Sequence, residues 1–324
     1  MLRLEEIKKL APGERAVAFS VAKLAPLVAV AGKPPPPTPA SGKGSLLALL
    51  DKAKQWVTLS DEPRDGSTGF EAAEQQRFQM APEQRYGHTD RILIVGATGQ
   101  GKSSWARQYI DASIYCHSDV AVIVVCAESP AYDPAFATLL TMPAAAPGME
   151  RGPKGTIEGV TFNWLTPKQL AESGISFEEI VELTGGRRAV VVFDDCLRIE
   201  GKEWRALDTL ITAIAQRGRK RHINMLVLSH KAADAGKTKA ILNSKSGVVI
   251  PTRMSVGDVG YMLRKYCNIN EEIVSVLDQL SSQLGRMAYI AIDSVAKYLV
   301  ADKQVLELRE TDLRKIIALQ KMAP

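Results

Sequence analysis

Cysteine and histidine are scarce, four of each in 324 residues. Cys116, Cys126, Cys196 and Cys267 lie far apart with no C-x-x-C spacing, which argues against a disulfide framework or a zinc site and makes a reducing interior the default. His88, His117, His222 and His230 form no ligand-spaced set. A large excess of one charge is also missing. Lys+Arg number 41 against 36 Asp+Glu, a net charge of +5, so any basic signal must come from where the charges sit. Long apolar runs are absent too. The nearest, residues 15–32, is broken by Lys23 and Pro26 and falls short of the roughly 20 residues of a membrane span. It also lacks the charged start and small-residue cleavage site of a signal peptide. It is expected to form an amphipathic or packed helix, with no transmembrane span. What is present is an ordinary soluble mix, 46% hydrophobic and 24% charged, which suits one large domain or two modest ones.

Along the chain, Pro34–Pro39 is expected to be a stiff extended linker. LLALLDKAKQWV (46–57) has helical apolar spacing, and the polar stretch 60–88 suits a loop. From Arg91 the composition changes. Ile92–Val95 is a short apolar run that ends in glycines, and a helical pattern starts at Lys102. Val120–Cys126 and Ala189–Phe193 are apolar, β-branched runs of buried-strand type. Val160–Leu165, Asn224–Leu228, Gly247–Ile250 and Met287–Ile292 are further expected strands, and 141–158 is expected to be a surface excursion. Thr166-Pro167-x-Gln169 and Ser176-x-x-Glu179 are capping boxes that start helices. Trp204, Leu207, Leu210, Ile211 and Ile214 recur at helical spacing. Alternating buried strands and helices predict an α/β fold with a mainly parallel sheet and helices on both faces.

One motif carries chemistry. Gly96-Ala97-Thr98-Gly99-Gln100-Gly101-Lys102-Ser103 is a complete G-x-x-x-x-G-K-[ST], entered by a strand and left by a helix. Its glycines let successive N–H groups curl around phosphate oxygens, and the helix adds its positive end. Lys102 is expected at the β- and γ-phosphates of ATP, and the Ser103 hydroxyl on Mg²⁺. The run ending in Asp194-Asp195 places two carboxylates at a strand terminus, where ligands bind in open α/β sheets. Asp194 is the expected direct or indirect partner of Mg²⁺. Asp195 is the candidate to orient or deprotonate the attacking water, so the pair favours hydrolysis.

Basic residues concentrate between 217 and 239: Arg217, Arg219, Lys220, Arg221, Lys231, Lys237 and Lys239, against the single acid Asp234. The bland reading is a solvated helix end. The functional reading is phosphate-backbone contact, or an arginine given to a neighbouring subunit's nucleotide. His230, at the end of a strand beside the Asp pair, is a candidate γ-phosphate sensor.

Taken together, VGATGQGKS, the strand ending in Asp194-Asp195, Arg221-His222-Ile223-Asn224, Asn243-Ser244 before Val248–Pro251, and Tyr289-Ile290-Ala291-Ile292-Asp293 resemble the FtsK–HerA superfamily of P-loop ATPases. Within it the chain is most similar to the genome-packaging ATPases of poxviruses and other large DNA viruses. The resemblance covers about 91–300. It implies a RecA/FtsK-like P-loop NTPase fold behind a short N-terminal extension, and a homo-oligomeric ring, hexamer or pentamer, that pumps double-stranded DNA. It also implies a trans-acting arginine, with Arg217 and Arg221 as candidates. The family pattern has glutamine where this chain has His230. The expected division is 1–33 helical segment, 34–88 Pro-rich linker and extension, and 89–324 ATPase domain. A soluble protein of the virion or host cytoplasm is expected, with a capsid-vertex or membrane partner for the extension. Two other readings stay open: an assembly, secretion or conjugation ATPase of the same superfamily, and a nucleotide kinase.

Overall fold

The computed structural model describes residues 82, 88–116, 120–126, 133–141, 156–157, 160–234, 236–252, 257–279, 286–292, 298–301 and 304–307, with strands at 27–31, 46–50, 55–59, 70–71 and 78–80. The chain divides into two compact units, one of residues 82–247 and one of residues 1–81 with 248–324. This differs from the expected partition, because residues 248–324 group with the N-terminal strands rather than with the segment that carries the P-loop motif.

In the N-terminal part, β1 (Leu27–Ala31), β2 (Leu46–Leu50), β3 (Gln55–Leu59) and β5 (Phe78–Met80) form an antiparallel sheet in the order β1-β3-β2-β5, and β4 (Phe70–Glu71) lies between β3 and β5 in the chain. This corrects three expectations: Leu46–Leu50 and Gln55–Leu59 are strands and not helix, the described part of 15–32 is a strand, and the stretch 60–88 holds short strands at 70–71 and 78–80. The physical reason is pairing. LLALL is too short and too uniformly apolar for its periodicity to separate helix from strand. The five-position ladder from Leu27↔Leu59 to Ala31↔Gln55 then gives those backbones partners that the local pattern does not reveal. The remainder of 15–32 and the Pro34–Pro39 linker lie outside the described residues.

The unit 82–247 is built as the buried runs predict. Its strands are β6 (Arg91–Val95), β7 (Val120–Cys126), β8 (Thr156–Ile157), β9 (Val160–Leu165), β10 (Arg188–Asp194) and β11 (Ile223–Ser229). Their order is β6-β11-β10-β7-β9-β8, parallel except for β8. β7 and β11 are buried at every position. Each fully buried Val, Ile or Leu stabilises by roughly 1.5–3 kcal/mol, which is why these runs carry no polar alternation.

The helices are α1 (Lys102–Cys116), α2 (Pro134–Thr141), α3 (Pro167–Ser173), α4 (Phe177–Thr184), α5 (Gly201–Arg217) and α6 (Lys239–Ser244). α1 contacts α2 and strands β6, β7, β10 and β11, while α3, α4 and α6 each contact α5. The chain moves one way along the sheet from β6 to β9 and back from β9 to β11, so right-handed crossovers place these two groups on opposite faces. Both expected capping boxes form: Thr166 with Gln169, and Ser176 with Glu179.

Past this unit lie β12 (Gly247–Pro251), α7 (Asp258–Cys267), α8 (Glu271–Gln279), β13 (Met287–Ala291), β14 (Tyr298–Ala301) and β15 (Gln304–Glu307). β13, β14, β15 and β4 pair antiparallel in sequence. Cys126, Cys196 and Cys267 are buried thiols outside any disulfide. Among the described residues no helix is long and apolar enough to cross a membrane.

Candidate functional site

Strand register brings the chemistry to one edge. Asp194 pairs with Cys126, Phe193 with Val227, and Ser229 with Val95. The P-loop, the Asp pair and Ser229-His230 therefore leave the sheet together at its C-terminal edge. β11 separates the P-loop strand β6 from the acid strand β10.

The P-loop opens with the Gly96 N–H donating to the Ser229 carbonyl at 3.0 Å. Gly99 and Gly101 have φ of 78° and 102°, backbone that side chains disfavour. Gln100 Oε1 accepts the Ala97 N–H at 2.7 Å, and a Cβ at Gly96 would sit 2.8 Å from that oxygen. The loop is thus folded on itself, with a cradle that only glycine leaves open. Lys102 begins α1, is only 7% exposed, and its Nζ donates to the Ala97 carbonyl at 3.3 Å. Burial lowers its pKa, while Asp195 and then Asp194 act to raise it.

Asp194 ends β10 and carries the largest electrostatic load. Its pKa is pushed up to about 7, by burial first, then by the nearby charges of Asp195 and Asp133, with Lys102 opposing. Asp195 follows in a left-handed conformation, φ 49° and ψ 18°, as the residue before a single 3-10 turn, Cys196–Arg198. Its carboxylate is half exposed, and His230 Nε2 lies 2.7 Å from Asp195 Oδ1. That contact is short but is not a well-directed hydrogen bond. Burial lowers the His230 pKa, and Lys102 lowers it further, so its ring is neutral at pH 7 despite Asp195. A cavity of about 280 Å³ opens beside this pair, with Asp195, Arg198, His230, Lys231 and Lys237 among its lining residues.

The donors fit a nucleotide-bound divalent cation. Asp194 is a half-buried carboxylate crowded by two others, with Lys102 the opposing positive charge. Mg²⁺ is characteristically held by one or two carboxylates plus substrate phosphates, not by a protein cage. Among the described residues no cluster of three or more His, Cys, Asp or Glu side chains could enclose a metal.

The structure does not bring Arg217 and Arg221 to this site within the chain. Both lie before β11, at the N-terminal edge of the strands. The seven residues of β11 rise ~20 Å between that edge and His230. Arg217 ends α5, donates to Glu178 Oε1 at 2.7 Å and lies 4.3 Å from the Phe177 ring centre. Arg219, Lys220 and Arg221 are exposed on a 3-10 turn that ends at His222. The stretch 217–239 is thus not one patch but two, at opposite ends of one strand.

Asn224 and Ser244 take structural parts. Asn224 Oδ1 accepts the Asp90 N–H at 2.8 Å, and Asp90 Oδ2 accepts from the Tyr109 hydroxyl at 2.7 Å. The Ser244 hydroxyl donates to the Ala240 carbonyl at 2.9 Å.

The residues that sequence reasoning missed are Asp133 and Arg198. Asp133 precedes α2, caps it through the Ala135 N–H at 2.8 Å, and acts on both Asp194 and Lys102. Arg198 acts on Lys102 and His230 from the turn after the acid pair. Neither lies in a motif that would have singled it out.

No family model and no curated protein matches the sequence. Among solved structures, the chain is similar to several nucleotide-binding proteins, each at no more than 15% identity. One is the genome packaging NTPase B204 from Sulfolobus turreted icosahedral virus 2 in complex with ATP-gammaS, with TM-score 0.41, 9% identity, and 65% of this chain covering 96% of that one. Another is the cytoplasmic domain of the Thermomonospora curvata type VII secretion ATPase EccC, with TM-score 0.41, 15% identity, and 81% of this chain covering 32% of that one. A third is the pCW3 conjugation coupling protein TcpA with ATPgS, with TM-score 0.41, 11% identity, and 83% of this chain covering 79% of that one.

Proposed function

We propose that this chain is an ATPase that couples ATP hydrolysis to movement of double-stranded DNA, packaging a viral genome into a capsid. The observation that carries the reading is the burial of Lys102 between the P-loop and the Asp194-Asp195 pair, with β11 between their strands. A strand ending in two acids beside a P-loop suits water attack on a γ-phosphate.

The chain's own residues divide the work. The amides of 96–103 and the start of α1 hold the phosphates. Lys102 releases Ala97 and meets the β- and γ-phosphate oxygens. Asp195, half exposed and next to neutral His230, orients the water and takes up its proton as it attacks. Mg²⁺, held by Ser103 and Asp194 with the nucleotide, would neutralise charge on the phosphates.

Arg217 and Arg221 sit at the far edge of the sheet, where they can serve only a nucleotide on another subunit. We read them as candidates for an arginine supplied in trans within a homo-oligomeric ring. Arg219 and Lys220 at the same edge offer charge for sequence-independent contact with DNA phosphates, which makes binding strongly salt-dependent. The test is ATP hydrolysis with and without double-stranded DNA, in the wild type and in Asp195→Asn. DNA-stimulated turnover that Asp195→Asn loses is expected. Turnover indifferent to DNA contradicts the motor reading, and phosphate transfer to a nucleoside replaces it.

A further inference from the structure

One half-buried lysine of the basic stretch spends its donors on the polypeptide. Lys237 Nζ donates to the Leu197 carbonyl at 2.9 Å and the Ile199 carbonyl at 2.8 Å, and lies 5.0 Å from the centre of the Trp204 ring. Both carbonyls belong to the end of the turn that follows Asp195. Carbonyls at a helical end lack partners within the turn, and a lysine ammonium is well suited to satisfy two of them at once. The turn's own bond is the Ile199 N–H to the Cys196 carbonyl at 3.2 Å.

The residue held upstream of this turn is strained. Asp195 sits at φ 49°, which costs a non-glycine residue about 1 kcal/mol or more and persists only when neighbours fix it. Lys237 is itself held firmly. The Asp234 N–H donates to Thr238 Oγ1 at 2.9 Å, and the Thr238 hydroxyl donates to the Asp234 carbonyl at 2.9 Å. At the other end of the same loop, the Ser229 hydroxyl donates to the Lys231 carbonyl at 2.7 Å, and the Ser229 carbonyl accepts from Gly96 of the P-loop. The loop 230–238 is therefore fastened to the P-loop at one end and to the acid turn at the other.

We infer that Lys237 is a positioning residue: its two carbonyl bonds hold the Cys196–Arg198 turn, fix the Asp195 backbone in its left-handed conformation, and tie the loop after β11 to the acid. The inference rests on the reading of Asp195 as the hydrolytic acid. It assigns Lys237 no contact with nucleotide or DNA, which separates it from Arg219 and Lys220.

The experiment compares wild type, Lys237→Met, Lys237→Arg, Asp195→Asn and the double variant Asp195→Asn/Lys237→Met. Methionine keeps the stem against Trp204 and removes the charge and donors. Lys237→Met is expected to lower kcat about tenfold with KM for ATP within about twofold, and Lys237→Arg to recover most of it. The double variant is expected to be no slower than Asp195→Asn alone, because Lys237 acts through Asp195. Wild-type kcat in Lys237→Met, or losses that multiply in the double variant, overturns the inference. Hydrogen exchange of the amides of 196–199 is the arm independent of turnover. Faster exchange in Lys237→Met is expected, and unchanged exchange also overturns the inference. A wild type that binds but does not hydrolyse ATP removes the reading of Asp195 as hydrolytic acid, and exchange then decides whether Lys237 holds the turn.

Discussion

The two edges of the parallel sheet in residues 82–247 carry similar residue types and use them differently. At the C-terminal edge, cations are drawn in. Lys102 is buried under the P-loop facing two acids, and Lys237 is spent on backbone carbonyls. At the N-terminal edge the buried polar groups, Asp90 and Asn224, are neutralised by backbone and hydroxyl partners, and Arg219, Lys220 and Arg221 remain exposed. The first edge concentrates charge where water is scarce, which strengthens each interaction and shifts pKa values. The second presents charge to solvent, where it acts at longer range and is screened by salt. Lys102 and Lys237 are drawn in at the first edge, where Lys231 and Arg198 stay exposed, so each cation's role follows from its own partners.

The contrast breaks most severely at Lys102. Lys102→Ala is expected to cut ATP turnover by on the order of 100- to 1000-fold, since it removes the charge aimed at the phosphates. Turnover within tenfold of wild type in a steady-state assay would mean that this edge is not the catalytic one.

Asp194 sharpens the contrast through stability. Its folded pKa of about 7 lies above the ordinary 3.8, so between those values the folded protein binds more protons than the unfolded chain. Stability must therefore fall as pH rises through that window. Asp194→Asn removes the buried charge, and the nucleotide-free variant is expected to be more stable than wild type at pH 8 by roughly 1–3 kcal/mol, with the difference shrinking below pH 5. Thermal denaturation at pH 5 and pH 8 reads this. The same substitution is expected to abolish hydrolysis.

The mildest effect belongs to the exposed edge. Replacing Arg219 and Lys220 together by Gln is expected to weaken DNA binding at moderate salt and to flatten the slope of log K against log salt by about two. An unchanged slope would take these residues out of DNA contact.

Much of this was legible in the sequence because it depends on local pattern. VAVIVVC and AVVVF are β-branched as well as apolar, which favours buried strands over helix, and the capping boxes at Thr166 and Ser176 start helices where they stand. The P-loop and Asp pair are contiguous motifs, so their residue types and spacing carried the chemistry. The misreadings have a common cause, that pairing across the chain is not written locally. Leu46–Leu50 became a strand through partners in β3 and β5. The basic stretch 217–239 looked continuous because the seven intervening residues of β11 are short in sequence but long as an extended strand. Lys237 could not be distinguished from Lys231, because its partners are backbone carbonyls some forty residues away, and every residue has a carbonyl.

The most direct test of the account is ATP turnover of the wild type and Asp195→Asn, each measured with and without double-stranded DNA over a salt series. The account predicts wild-type turnover that DNA stimulates and rising salt suppresses, and an Asp195→Asn protein that still binds ATP but turns over at least ~100-fold more slowly under all conditions. Wild-type turnover unaffected by DNA, together with an Asp195→Asn variant of normal rate, would contradict it.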